Sequence, residues 1–332
     1  MRIEAFTEAK TPADAAGNED QLLVLPGRGY AVIDGVTDRT GHRYDGLLAG
    51  RLASRAVQRA SATFLLGADE AEVDPARLVA HASAAIREDY RRHGILAIAR
   101  DEPARRFGAT LALAAERDGA WRFILVGDSG LRLNGTELWR NENELDQITA
   151  SLRQEAYRLV AAAGGGPDDR ARIGRVCAFH GAGQVHPEMR PWLDDAGLAL
   201  LRARCLEACR ARFPGVPLND IERLLDGGVM TGQGQFQNNT RSPLSYAVLD
   251  GFDVPMDLVR VIDRDVAAVD TIELFTDGYF ELADAPAVDA WEASFREVER
   301  IDPEKIDRYP CVKGSIPGRY ADDRTVIVVQ LR

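Results

Sequence analysis

The stretch NEDQLLVLPGRGYAVIDG, residues 18–35, reads as a strand, a tight turn and a second strand. Pro26, Gly27, Arg28 and Gly29 supply turn chemistry between two apolar runs, 22–25 and 31–33. Glu19 and Asp20 stand just before the first run and Asp34 just after the second. Paired as a hairpin, the two runs deliver all three carboxylates to one open end.

The same arrangement recurs along the chain. FILVGDSG places Asp128 after an apolar run, and IELFTDG does the same for Asp277. ADDRTVIVVQL sets Asp322 and Asp323 ahead of one. In antiparallel sheets the end of one strand and the start of its neighbour share an edge, so five acidic clusters can meet on one rim. Any single Asp-Gly is a common hairpin turn; the set carries the meaning. Carboxylates packed together cost several kcal/mol in desolvation and repulsion unless cations neutralise them. Mg²⁺ or Mn²⁺, with carboxylate, carbonyl and water ligands, suits such a rim.

The remaining runs, QLLVL, YAVI, TLALAA, WRFILV, LSYAVL, TIELF and TVIVVQL, predict strands. Helical stripes are predicted over 45–66 and 75–92. Strands cluster with helices between the clusters, which favours antiparallel sheets covered by helices. Residues 140–239 differ, with helical segments at 141–163, 171–180, 189–212 and 218–225 and a glycine- and amide-rich loop after them. This block reads as a helical insertion, a flap or lid, within one domain spanning 1–332. Cys205 and Cys209, four apart, read as a packed helix face; no C-x-x-C pair suggests zinc or a disulfide framework.

With 41 basic and 52 acidic residues, the net charge of −11 disfavours a nucleic-acid partner. No apolar run approaches the roughly 20 residues a membrane span needs, and the N-terminus lacks a signal-peptide layout. A cytoplasmic location with no membrane partner is the expectation; oligomeric state is left open.

In order, NED (18–20), VIDG (32–35), GATLALA (108–114), VGDSG (126–130), FTDG (275–278) and DDRTVIVV (322–329) resemble the motifs of the metal-dependent type-2C serine/threonine protein phosphatases. The resemblance covers 1–139 and 240–332. It implies an α+β, four-layer α/β/β/α sandwich of two antiparallel sheets, with two Mn²⁺ or Mg²⁺ ions at one end and room for a third. It also implies that Asp34 bridges the ions and positions the nucleophilic water, that Asp277 and Asp322 complete one ion, and that the Gly35 carbonyl binds the other. Glu19 and Asp20 would hold metal-bound waters or a metal directly, and Asp128 would serve the third ion. Asp322 is favoured over Asp323, since the first Asp of the family's ending is the ligand.

Two family features are absent. The arginine four residues before the glutamate is Ala15, and the histidine that follows Asp-Gly in many eukaryotic members is Val36. Arg39 and His42, Lys10, or Arg105 and Arg106 are the candidates to grip phosphate in place of the arginine, with Arg39 and His42 also candidates for the general acid. His180 and His186 read as structural or solvent-facing, and Asn238-Asn239 as a turn or a flap. The resemblance implies hydrolysis of phosphoserine and phosphothreonine in proteins. The same chemistry on a small phosphorylated metabolite, and a catalytically idle regulatory module on the same scaffold, stand as alternatives.

Overall fold

The computed structural model describes residues 1–36, 41–67, 73–117, 119–141 and 143–332. Its strands are β1 (Arg2–Glu8), β2 (Gln21–Leu25), β3 (Gly29–Ile33), β4 (Arg43–Tyr44), β5 (Leu47–Leu48), β6 (Leu111–Arg117), β7 (Ala120–Val126), β8 (Gly130–Leu133), β9 (Glu137–Trp139), β10 (Arg260–Asp265), β11 (Thr271–Phe275) and β12 (Arg324–Gln330). The helices are α1 (Ala49–Gly67), α2 (Pro75–Arg92), α3 (Leu96–Asp101), α4 (Glu144–Ala162), α5 (Pro167–His180), α6 (Asp195–Arg212), α7 (Leu218–Gly227) and α8 (Val288–Ile301). The chain forms two compact units, one of residues 1–142, 247–300 and 318–332, the other of 143–246 and 301–317.

The first unit is built on two five-stranded sheets, ordered β1-β12-β11-β8-β9 and β10-β7-β6-β3-β2. Every named pairing is antiparallel. Side chains alternate between sheet faces, so each strand feeds two cores. In β12, Ile327 and Val329 meet Tyr30, Val32, Phe123 and Leu274 between the sheets. Val326 and Val328 turn to the other face, against Trp291 and Phe295 of α8. The outer face of the second sheet, with Ala31, Ile33, Leu113 and Ile124, packs on Ala53, Val57, Leu78 and Ile86 of α1 and α2. The result is the expected α/β/β/α sandwich of two antiparallel sheets.

A buried ion pair ties the first sheet to α8. Arg132 donates from Nε to Glu273 Oε1 at 2.8 Å and from Nη1 to the Ala283 carbonyl at 2.6 Å, while Trp291 Nε1 donates to Glu273 Oε2 at 2.8 Å. Each charge is met by several partners, the condition under which a buried pair is tolerated.

Strand expectations hold for QLLVL, YAVI, TLALAA, WRFILV, TIELF and TVIVVQL. LSYAVL does not form a strand. It makes only isolated bridges, Tyr246 to Gln237 and Leu249 to Ala109, single rungs on two different neighbours and no continuous ladder. The first helix starts at Ala49, four residues later than expected; 43–48 form the small β4–β5 hairpin.

The second unit gathers α4 to α7 around Ile148, Leu152, Cys177, Leu201, Leu224 and their neighbours. Asn143 and Asp194 cap α4 and α6 by accepting from the amides of Leu145 and Gly197. Cys205 and Cys209 are buried in this core, as the spacing predicts. Segment 301–317 is held through Arg153, whose Nη1 donates to the carbonyls of Lys305 and Cys311 at 2.9 and 3.1 Å. Asn238 has φ 50°, and Asn239 Nδ2 donates to the Gln235 carbonyl at 2.7 Å, which makes this pair a turn.

Candidate active site

The opening hairpin behaves as its sequence predicts. Gln21 pairs with Ile33 at the last rung, so Asp20 and Asp34 leave the sheet together. Beyond the rung, Thr110 N donates to the Asp34 carbonyl at 2.8 Å and Val36 N to the Gly108 carbonyl at 2.9 Å, which fixes the backbone of Asp34 and Gly35. Asp128 follows β7 and Asp277 follows β11. Asp322 and Asp323 precede β12, where Phe275 opposite Val326 puts the end of β11 beside the start of β12.

Electrostatics shows that these ends converge. The Asp34 carboxyl is pushed well above the usual carboxylate range, first by burial and then by Asp277, Asp20, Asp128 and Asp322. Asp20 is pushed up to about 7, by burial and then by Asp323; hydrogen bonds from Thr325 and Thr276 pull the other way, and Asp322 adds to the rise. Thr276 Oγ1 donates to Asp20 Oδ2 at 2.8 Å. Asp20 Oδ1 is buried with no hydrogen-bond partner among the described residues. A buried, repelled oxygen with no donor is costly unless a cation meets it. The donor set is entirely oxygen, as hard divalent ions require. As placed, no group of three or more His, Cys, Asp or Glu side chains among the described residues closes into a metal cage.

Glycines line the approach. A Cβ on Gly35 would strike the carbonyl oxygens of Gly50 and Glu19, and one on Gly50 would lie 2.5 Å from Glu19 Oε1. Only bare backbone fits where the hairpin end meets the start of α1.

The acids differ in what they already hold. Glu19 is fully buried, and its Oε2 accepts from Lys10 Nζ at 2.9 Å. Asp323 Oδ1 accepts from Lys10 N at 2.6 Å, and its Oδ2 accepts from Lys10 Nζ and Glu19 N, both at 3.2 Å. Asp323 is thus committed to a structural strut, while Asp322 is half-buried at the rim. His42 is exposed, its ring 5.5 Å from that of Tyr44. Arg39 lies outside the described residues. Arg106 is bound to Asp250 at 3.1 Å and lies over Phe252.

Sequence reading passed over Arg51, in the first turn of α1. Its Nη1 donates to the Ala15 carbonyl at 3.3 Å and to the Asn18 carbonyl. A guanidinium therefore lies beside the position where the family arginine is missing. Only the position of α1 against residues 15–18 reveals it.

The model of the family described as protein phosphatase 2C matches residues 14–307. The chain belongs to the protein phosphatase 2C family. It is a metal-dependent phosphomonoesterase of the serine/threonine protein phosphatase type. No curated protein matches it by sequence. Among solved structures it is similar to the Mycobacterium tuberculosis serine/threonine phosphatase PstP/Ppp, at 17% identity over 100% of this chain and 98% of that one, TM-score 0.42. It is also similar to the phosphatase Stp1 from Staphylococcus aureus, at 11% over 100% and 95%, TM-score 0.45. A third is the PstP catalytic domain in complex with two manganese ions, at 17% over 98% and 96%, TM-score 0.43. The phosphatase's described residues include no helix long and apolar enough to cross a membrane.

The second unit has a cavity of its own, about 1080 Å³, lined by His180, His186, Arg202, Arg223, Asp226 and Met230 among others. The two histidine rings stack at 4.3 Å, and Arg202 grips Asp226. The two histidines thus partner each other, as do Arg202 and Asp226, while Arg223 Nη1 donates to Gln235 Oε1 at 2.5 Å.

Proposed function

We propose that the phosphatase hydrolyses phosphoserine and phosphothreonine in proteins at the acidic rim, with two divalent ions held by Asp34, the Gly35 carbonyl, Asp277 and Asp322, and with Asp20 and Glu19 beside them. Asp128 is the natural support for a third ion. The observation that carries this reading is the mutual repulsion of strand-end acids around Asp34, together with the orphaned oxygen of Asp20. A divalent pair supplies, when bound, a water acidic enough to attack phosphorus at neutral pH and positive charge for the phosphoryl oxygens.

The chain's residues do the rest. Asp34, anchored through its own carbonyl by Thr110 N, holds its carboxylate at the centre of the rim. Thr276 fixes one oxygen of Asp20 and leaves the other buried with no hydrogen-bond partner among the described residues. Arg51 replaces the arginine absent at Ala15. Burial and Arg55 oppose its charge, Asp323, Asp14 and Glu19 support it, and its Nε is buried with no hydrogen-bond partner among the described residues. A guanidinium at this edge suits a phosphate dianion, which it can meet with paired N–H donors.

The test is hydrolysis of a generic phosphate monoester and of a phosphopeptide panel, with and without Mn²⁺. Asp34→Asn and Asp277→Asn are each expected to lower kcat at least about a hundredfold, since each removes charge that the transition state needs. Turnover that survives chelation refutes the mechanism. Turnover of metabolites in preference to phosphopeptides would replace the substrate class and keep the chemistry.

A further inference from the structure

We propose that Lys10 is the resident counter-cation of the rim: its ammonium occupies the Glu19–Asp322–Asp323 side and thereby weakens the phosphatase's hold on divalent ions. The proposal rests on the reading that the rim holds such ions. Lys10 Nζ lies 2.9 Å from Glu19 Oε2, 3.2 Å from Asp323 Oδ2 and 3.6 Å from Asp322 Oδ1. The residue is only 7% exposed. Burial alone works against an ammonium; the three acids outweigh it and hold the charge on.

Backbone placement makes this position a built feature. Glu8 of β1 pairs with Arg324 of β12, so the residues just past β1 run beside the residues just before β12. Lys10 N donates to Asp323 Oδ1 at 2.6 Å, and the Lys10 carbonyl accepts from Tyr320 N at 2.7 Å. With its main chain held on both sides, Lys10 carries its ammonium to Glu19, Asp322 and Asp323. Asp323 supplies the extra negative charge that Lys10 balances, and Asp322, offered above as an ion ligand, lies within the reach of the same ammonium. A divalent ion arriving at Asp322 meets a positive charge already in place. An opposite charge within about 4–6 Å lowers a carboxyl's affinity for a proton by one to three decades, and the same ammonium disfavours a second cation on that carboxylate in the same sense.

The experiment uses the full chain as wild type, Lys10→Met and the double variant Lys10→Met/Asp323→Asn. Mn²⁺ affinity is read by calorimetry or electron paramagnetic resonance, and the thermal midpoint is read in EDTA. Lys10→Met is expected to bind Mn²⁺ at least about tenfold more tightly than wild type, with a lower midpoint in EDTA. The double variant, which restores the wild-type net charge, is expected to recover most of the lost midpoint and to return the affinity towards that of wild type. Lys10→Met that binds Mn²⁺ no more tightly than wild type, or a double variant no more stable than Lys10→Met, overturns the proposal. If Lys10→Met does not fold without metal, the double variant must fold, and its failure also overturns it. A wild type that takes up no Mn²⁺ refutes the functional reading instead, and the EDTA comparison still judges the counter-cation role.

Discussion

Removing a charge from the rim is expected to stabilise the metal-free phosphatase, and Asp20→Asn is the sharpest case. The Asp20 carboxyl rises from an ordinary 3.8 to about 7 through burial and the charge of Asp323. The folded state therefore binds a proton more tightly than the unfolded chain. The stability this contributes is fully present below about pH 4 and is lost as pH rises through 7. At 1.36 kcal/mol per pH unit, the ionised side chain costs the fold about 4 kcal/mol at pH 8. A buried amide keeps about 1–2 kcal/mol of dehydration cost. Its oxygen can still accept from Thr276 Oγ1 and its N–H groups can donate to neighbouring carboxylates, so the net gain is about 2–3 kcal/mol. With unfolding entropy near 0.7 kcal/mol per kelvin for a chain of this length, the midpoint in EDTA at pH 8 should rise by roughly 3–4 °C. At pH 5 wild-type Asp20 is already protonated in the fold, and the penalty falls to roughly a third. Mn²⁺ should raise the wild-type midpoint at pH 8 and do so far less for the variant. Differential scanning calorimetry at both pH values, with and without metal, decides it. An Asp20→Asn that is less stable than wild type in EDTA at pH 8, or a gap that does not shrink on acidification, refutes the reasoning.

Other expectations follow from the same geometry. Arg51→Ala should raise KM for a phosphopeptide about tenfold or more, the worth of one charge-assisted contact, with Mn²⁺ affinity little changed; steady-state kinetics beside a metal titration separates the two. Gly35→Ala drives a Cβ into the backbone carbonyls of Gly50 and Glu19, so chemical denaturation should show a loss of about 1–3 kcal/mol, with weaker Mn²⁺ binding if the Gly35 carbonyl is a ligand. In the second unit, Asp302 accepts from the amides of Ile306, Asp307, Arg308 and Tyr309 at 2.9–3.2 Å. Burial opposes its charge, and those four donors hold its carboxyl below the usual range. Its stabilisation is present above about pH 4 and is lost as pH falls through the depressed value. Asp302→Ala should cost roughly 2–3 kcal/mol at neutral pH, a gap that denaturation curves should show narrowing as pH falls through the depressed value of the Asp302 carboxyl.

Local physics made much of this protein legible in its sequence. Apolar runs bounded by Asp and Gly marked the central strands, because residues covered on both faces must be apolar. The hairpin of 21–33 fixed by itself that Asp20 and Asp34 leave the sheet together, since its turn sets the register. Two edge strands, β1 and β10, RIEAFTE and RVIDRD, are not marked by an apolar run, because polar and charged residues interrupt them and few of their residues are fully buried. LSYAVL misled for the opposite reason, being apolar through burial without strand pairing. Which acid does what was decided only by the tertiary structure. Lys10 and Asp323 are 313 residues apart, and their contact follows from the pairing of β1 with β12. Arg51 beside Ala15 follows from where α1 begins. Sequence motifs carry residue types and local register, whereas the partner of a charge is set by contacts between distant segments, which no local pattern encodes.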